Sequence, residues 1–354
     1  MNKKIIYVIL SFLVLFGLFY FMEDHPENIT ETNYWKENWT SVYFEAPKDD
    51  WCGNLSPSFI KEPLLMVAIS RGWKKPPLYS LSFDWNGKKY TYEGNYNVKN
   101  TFSELSALKT KLIEKQNDDL KKEFCLGSSS PSLTVSSEVF DPKKTENFKK
   151  LIFGKKIGSD EGRVATMIGD EIISPYNYVI EKFRTTAASF RERTLVSFNG
   201  GYIGSLSFSG QSVSVKIDNR AKKNQYNNYV NDWSRTTGER IVIPPDLGNQ
   251  WETVTKGLKA DLYPDEEGAP QWIEVSEPEA VFLVEQSEGI RFRIVFYPAI
   301  QTESGTWRPV KREIPPYLTE SVSFLKEESF QNLVEAVMKV KNASRYERPN
   351  QKIQ

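Results

Sequence analysis

The chain has little of the side chains that most enzyme mechanisms need. Its 354 residues include one histidine, His25, and two cysteines, Cys52 and Cys125. One histidine cannot supply the repeated imidazole ligands of a zinc site, and two cysteines without a CxxC spacing form neither a four-thiolate site nor a redox motif. His25 also lies too close to the N-terminus to serve as the base of a distant Ser-His-Asp or Cys-His site.

Motifs for nucleotides and for hydrolases are absent as well. GxSxG, GxxxxGK[ST] and GxGxxG do not occur, so a hydrolase elbow, a P-loop and a Rossmann fingerprint lack support. Lys plus Arg and Asp plus Glu number 46 each, so the chain lacks the excess positive charge that attracts nucleic acid. We therefore expect no catalytic residues, no cofactor, no bound metal and no nucleic-acid partner.

Residues 5–22 form a long uncharged run at the N-terminus. At 1.5 Å per residue such a helix extends about 27 Å, enough for a thin bilayer core. Lys3 and Lys4 precede the run and acidic residues follow it, so the positive-inside rule predicts a cytoplasmic tail of residues 1–4. Since no small residues mark a cleavage site, we predict an uncleaved transmembrane signal anchor in a bacterial inner membrane. The remainder of the chain is then a periplasmic ectodomain.

Export would place both cysteines in an oxidising compartment. A disulfide between Cys52 and Cys125 would close a loop of about 74 residues and stabilise the fold by roughly 4 kcal/mol. The alternative is a pair of unpaired, buried cysteines.

The ectodomain is predicted to be α+β, with two parts of antiparallel sheet that each carry a packed helix. Residues 23–34 are expected to be a linker, residues 35–155 a first domain and residues 156–354 a second, β-rich domain. In the first domain, Asn86-Gly87 between residues 78–83 and 90–92 predicts a hairpin. Thr101 and Glu104 match a capping box, which predicts a helix whose apolar stripe continues to Phe124.

In the second domain, strand-like runs alternate with glycine-containing turns. We predict strands at residues 194–198, 202–208, 212–217, 272–275, 280–285 and 290–297. Phe330, Leu333, Val334 and Val337 follow at helical spacing and predict a C-terminal helix.

Three groups of side chains are candidate sites. A Lys-rich stretch could touch anionic lipid head groups or could be a solvated face; it comprises Lys143, Lys144, Lys149, Lys150, Lys155 and Lys156. Arginine and tryptophan are common in protein interfaces, which makes Arg184, Arg191, Arg193, Trp233 and Trp251 candidates for binding a partner. The acidic stretch Asp261, Asp265, Glu266 and Glu267 could bind Ca²⁺ or form a solvated turn.

Together these features favour a binding protein over an enzyme. The layout of one anchor and a two-part ectodomain is similar to that of membrane-tethered periplasmic immunity proteins. The similarity concerns the layout alone, so we assign no functional residues from it. It implies an inhibitor that recognises a secreted toxin or a hydrolase attacking the envelope. One alternative is a structural subunit of an envelope-spanning secretion or conjugation apparatus. Another is a glycan-active enzyme that depends on a carboxylate pair.

Overall fold

The computed structural model describes residues 31–48, 51, 59–141, 148–157, 162–198, 201–210, 213–273 and 277–347. These residues form an α+β protein of two large sheets, in which every strand pair is antiparallel, with a few helices. No helix within these ranges is long and apolar enough to span a membrane. The predicted anchor, residues 5–22, lies outside the described residues.

The first sheet has ten strands in the spatial order β1-β6-β10-β9-β8-β7-β2-β3-β4-β5. Its strands are β1 (Thr32–Asn33), β2 (Ser41–Glu45), β3 (Leu64–Ile69), β4 (Leu78–Trp85), β5 (Lys88–Glu93), β6 (Lys109–Lys115), β7 (Ser132–Ser136), β8 (Phe148–Lys156), β9 (Val164–Ile168) and β10 (Glu171–Pro175). Because β1 pairs with β6, the last residues of the predicted linker belong to this sheet.

Short helices accompany the first sheet. They are α1 (Tyr96–Ser106), α2 (Asp118–Glu123), α3 (Tyr178–Glu181) and a 3₁₀ helix (Ala187–Phe190). On the buried face of β2, Phe44 stacks on Phe183 with ring centroids 4.4 Å apart, and Phe183 in turn packs on Phe190. Successive strand residues point to opposite faces, so the neighbouring positions Tyr43 and Glu45 lie on the other, outer face.

The hairpin prediction is confirmed, but the long helix after Thr101 is wrong. Strands β4 and β5 meet at Asn86-Gly87, where both residues have the positive φ that this turn requires. Helix α1 begins earlier than predicted, with Asn95 as its N-cap, and ends at Ser106. Thr101 lies inside the helix and donates its hydroxyl to the Asn97 carbonyl. Beyond the helix the chain becomes β6, because pairing with β10 satisfies its backbone groups and outweighs the local helical pattern.

The second sheet follows the order β16-β15-β12-β11-β17-β18-β20-β19, with β21 and β22 also paired to β20. Its strands are β11 (Ile203–Gly210), β12 (Val213–Asn219), β15 (Trp233–Arg235), β16 (Ile241–Val242), β17 (Ala280–Gln286), β18 (Arg291–Phe296), β19 (Ile300–Thr302), β20 (Gly305–Ile314), β21 (Leu318–Thr319) and β22 (Ser323–Lys326); β13 (Lys222–Lys223) and β14 (Tyr229–Val230) form a separate ribbon. Helices α4 (Pro245–Gly257) and α5 (Glu327–Lys341) pack on each other, and α5 also packs on the sheet.

Most predictions for this half are confirmed: β11, β12, β17, β18 and α5 lie where strands and the last helix were expected. Residues 194–198 form only an isolated bridge, between Thr194 and Lys259, instead of the predicted strand. Two of their carbonyls accept hydrogen bonds from side chains. Arg312 donates to the Thr194 carbonyl and Gln286 to that of Ser197. Trp272 and Ile273 form no strand, and residues 274 and 275 lie outside the described ranges.

The predicted boundary near residue 155 falls inside β8. The chain leaves the first sheet only after Pro175 and enters the second at Ile203. By sheet membership, the division therefore comes later than the composition indicated.

Candidate functional site

Arg191 and Asp265, which belong to two separate candidate groups in the sequence, pair with each other. Arg191 is 1% exposed, and its guanidinium donates to both carboxylate oxygens of Asp265, one of them at 2.7 Å. The rings of Phe83, Tyr92 and Tyr263 surround the same guanidinium at 4.6–5.0 Å from their centroids. Because the guanidinium is buried and enclosed by these groups, Arg191 is not available to a partner in this conformation, although its Nε–H has no hydrogen-bond acceptor among the described residues.

Arg193 forms a similar ion pair with Glu266, the residue next to Asp265. It donates to the Glu266 carboxylate and to the backbone carbonyls of Ala260 and Asp261. Two of the four acidic residues, Asp265 and Glu266, are therefore held by arginines. Across the described ranges, no group of three or more His, Cys, Asp or Glu side chains could hold a metal ion.

The two candidate tryptophans lie in the core of the second half. Trp233 is 1% exposed and donates its indole N–H to the Asn249 amide oxygen at 3.0 Å. Trp251 is 0% exposed and stacks on Phe282. Both side chains fix α4 to its surroundings, and a partner does not reach them in this conformation. Arg184 pairs with Glu181 at 2.9 Å, and its guanidinium lies over the ring of Phe59.

The Lys-rich stretch is only partly described, and two of its lysines are paired. Lys149 contacts Glu37 at 2.6 Å and lies over the indoles of Trp35 and Trp39. Lys150 contacts Glu45 at 2.7 Å. Lys155 and Lys156 are exposed at the end of β8, whereas Lys143 and Lys144 lie outside the described residues.

Cys125 follows helix α2 and is disulfide-bonded. Its carbonyl accepts hydrogen bonds from the Trp51 indole at 3.2 Å and from the Ser130 hydroxyl. Cys52 lies outside the described residues, so its pairing with Cys125 stays a prediction. The hydrogen bond from Trp51, the residue before Cys52, to the Cys125 carbonyl is consistent with that pairing.

A buried cluster of charges joins the two sheets. Arg312, which is 1% exposed, contacts Glu93 of β5 at 2.8 Å and also donates to both carboxylate oxygens of Glu320. Burial raises the pKa of Glu93 to about 7, against the opposing charge of Arg312. Because Glu93 is 5% exposed, a substrate does not reach its carboxyl in this conformation. We interpret the cluster as a link between the sheets.

An open site lies on the outer face of the first sheet, where a cavity of about 710 Å³ crosses strands β8, β7, β2, β3, β4 and β5. We call it the outer groove. Its distinguishing feature is a column of three partly exposed aromatic side chains. Phe140 stacks between Tyr43 and Phe148, with centroid distances of 4.6 and 4.9 Å and ring planes within 17° of parallel. Leu65 lies beside the column.

Charged side chains of both signs flank this column. Glu45 accepts hydrogen bonds from Lys150 at 2.7 Å and from Ser132 at 3.0 Å. Although burial opposes them, these bonds hold the pKa of Glu45 below its usual range and so favour the ionised carboxylate. Asp84 and Lys89 face each other across β4 and β5. The groove therefore offers an apolar strip between paired charges, which suits recognition rather than proton transfer.

No protein-family model, curated protein or solved structure matches this chain.

Proposed function

We propose that this chain is a binding protein that recognises another protein through the outer groove. The observation that carries the proposal is the stacked column of Tyr43, Phe140 and Phe148 in an open groove whose walls, among the described residues, include no helical residue. Rigid aromatic side chains lose little conformational freedom on binding and dominate the affinity of many interfaces.

The size and charge of the groove indicate the kind of partner surface. A cavity of about 710 Å³ accommodates a few inserted side chains of a partner segment. Lys150 and Lys89 lie near Glu45 and Asp84, so the rim carries no net charge. A partner with an apolar segment flanked by charges of both signs would complement it.

We further propose that residues 5–22 anchor the protein in a bacterial inner membrane, with residues 23–354 in the periplasm. The uncharged run between lysines and acidic residues supports this placement. The partner would then be a secreted toxin or hydrolase that attacks the envelope, and the protein its inhibitor. The structure covers only part of this layout, so the division of the ectodomain into two parts belongs to the proposal as well.

The proposal is tested by capturing partners on the full chain in nanodiscs, with mass spectrometry as the readout. Phe140→Ala removes the middle ring of the column. Trp73→Ala is the matched control, because Trp73 is 87% exposed and does not line the groove. One soluble partner that is lost with F140A and kept with W73A would support the proposal. Several membrane partners that ignore both substitutions would instead favour the subunit of a secretion apparatus.

A further inference from the structure

A second open cavity lies where the two sheets meet. It has a volume of about 670 Å³ and lies between the tip of the β4–β5 hairpin and residues 264–272. We call it the junction cleft. It shares no lining residue with the outer groove, so a ligand could occupy the cleft whether or not the groove binds a partner.

Aromatic side chains from both halves of the protein line the cleft. Trp85 and Tyr90 come from the hairpin and meet edge to face, with centroids 6.1 Å apart. Trp272 comes from the second half, where Tyr297 at 5.4 Å and the Lys311 ammonium at 5.4 Å support its ring. Both indoles are partly exposed. The cleft thus presents flat apolar faces that are held in place from behind.

The segment that carries Trp272 is fixed to the hairpin side of the cleft. Asp265 is clamped by Arg191, and the ring of Tyr263 meets that of Tyr92 edge to face at 4.7 Å. Tyr92 lies on β5, next along that face from Tyr90. The cleft is therefore formed before any ligand arrives, which lowers the entropic cost of binding.

The charges of the residues that line the cleft are balanced by one another and by two neighbouring arginines. Arg191 and Arg193 neutralise the lining residues Asp265 and Glu266. The exposed side chains that remain, Glu267 and Lys88, have opposite signs. A strongly charged ligand would find no matching excess of charge, whereas a neutral ligand with polar edges would find hydrogen-bond partners.

We propose that the junction cleft binds a neutral oligosaccharide. The C–H face of a sugar ring carries a small positive charge that suits the negative face of an indole, so pyranose rings would stack on Trp85 and Trp272. Hydroxyl groups would donate to the Glu267 carboxylate and accept from the Gln271 amide at the rim. The arrangement supports binding without hydrolysis, because the carboxylates of Asp265 and Glu266 are already engaged by the guanidiniums of Arg191 and Arg193.

The test uses the full chain in nanodiscs, since the sugar head groups of common detergents would compete. The probes are linear β-1,4-linked tetrasaccharides of N-acetylglucosamine and of glucose, an α-1,4-linked glucose tetrasaccharide and an array of neutral and charged glycans. Binding is measured by tryptophan fluorescence and calorimetry. We expect at least one neutral probe to bind and Trp272→Ala or Trp85→Ala to weaken it about tenfold. Trp73→Ala, on an exposed indole outside the cleft, should leave binding unchanged.

Two further variants separate loss of binding from loss of folding. Trp272→Phe keeps a flat ring and should restore part of the affinity, and Glu267→Gln should weaken binding without changing the melting temperature. The proposal is overturned if none of the neutral probes binds at millimolar concentration. It is also overturned if the two alanine variants bind like the wild type, or if charged glycans bind more tightly than neutral ones.

Discussion

The buried carboxyl of Glu93 should make the stability of the fold depend on pH near neutrality. The ordinary pKa of a glutamate is 4.5, and in the folded protein burial raises that of Glu93 to about 7. The folded state therefore holds this proton more tightly than the unfolded chain. Its contribution is fully present below pH 4.5 and is lost as the pH rises through 7. A difference of about 2.5 pKa units corresponds to about 3 kcal/mol.

The expected result is a free energy of unfolding that falls by about 2–3 kcal/mol between pH 5 and pH 8. Urea unfolding of the protein in nanodiscs, followed by tryptophan fluorescence across that range, measures it. Glu93→Gln keeps the size and the neutrality of the protonated form, so its stability should be nearly flat over the same range. Glu335→Gln is the control, because Lys339 lowers the pKa of the exposed Glu335 and this group is ionised throughout. If the wild type and E93Q have the same slope, the reasoning about this cluster is refuted.

Further predictions concern packing and the groove. Replacing Arg191 with Met leaves the partly buried carboxylate of Asp265 unpaired and should cost about 3 kcal/mol in urea unfolding. Arg291→Ala, at an exposed ion pair, should cost under about 1 kcal/mol. Gly248→Ala would place a methyl group 2.2 Å from the indole of Trp233 and should cost about 1–3 kcal/mol. Gly257→Ala, in the same helix but with no atom within 4 Å of the new methyl group, should be neutral or stabilising. Phe140→Ala should weaken a captured partner at least about tenfold in calorimetry without loss of stability beyond about 3 kcal/mol. Equal effects within either pair, or an unchanged affinity, would contradict these expectations.

Short sequence patterns predicted the elements whose structure depends on neighbouring residues alone, such as the hairpin turn and the C-terminal helix. The turn at Asn86-Gly87 needs positive φ at two successive residues, and asparagine and glycine are the residues that adopt this conformation most readily. Helix α5 was predictable because its buried residues repeat at the helical period along one face. The prediction of a helix after Ser106 was wrong because the segment pairs as a strand with β10, which lies some sixty residues further along the chain. The local helical pattern contains no sign of that distant partner.

The candidate site depended on contacts that no local pattern encodes. Arg191 and Asp265 are 74 positions apart, so the sequence showed a basic segment and an acidic segment but not their pairing. Likewise Tyr43, Phe140 and Phe148 form a column only because β2, β7 and β8 are neighbours in the sheet. Trp233 and Trp251 looked like binding residues because tryptophan serves both interfaces and cores, and only burial distinguishes the two.

The most direct test of the proposed function is the affinity of one purified partner, first captured on the wild-type chain, for three variants measured side by side by calorimetry. We expect Tyr43→Ala and Phe140→Ala to weaken that partner at least about tenfold and Trp73→Ala to leave its affinity unchanged. An affinity that is the same for all three variants would place the interface elsewhere on the protein and would refute recognition through the outer groove.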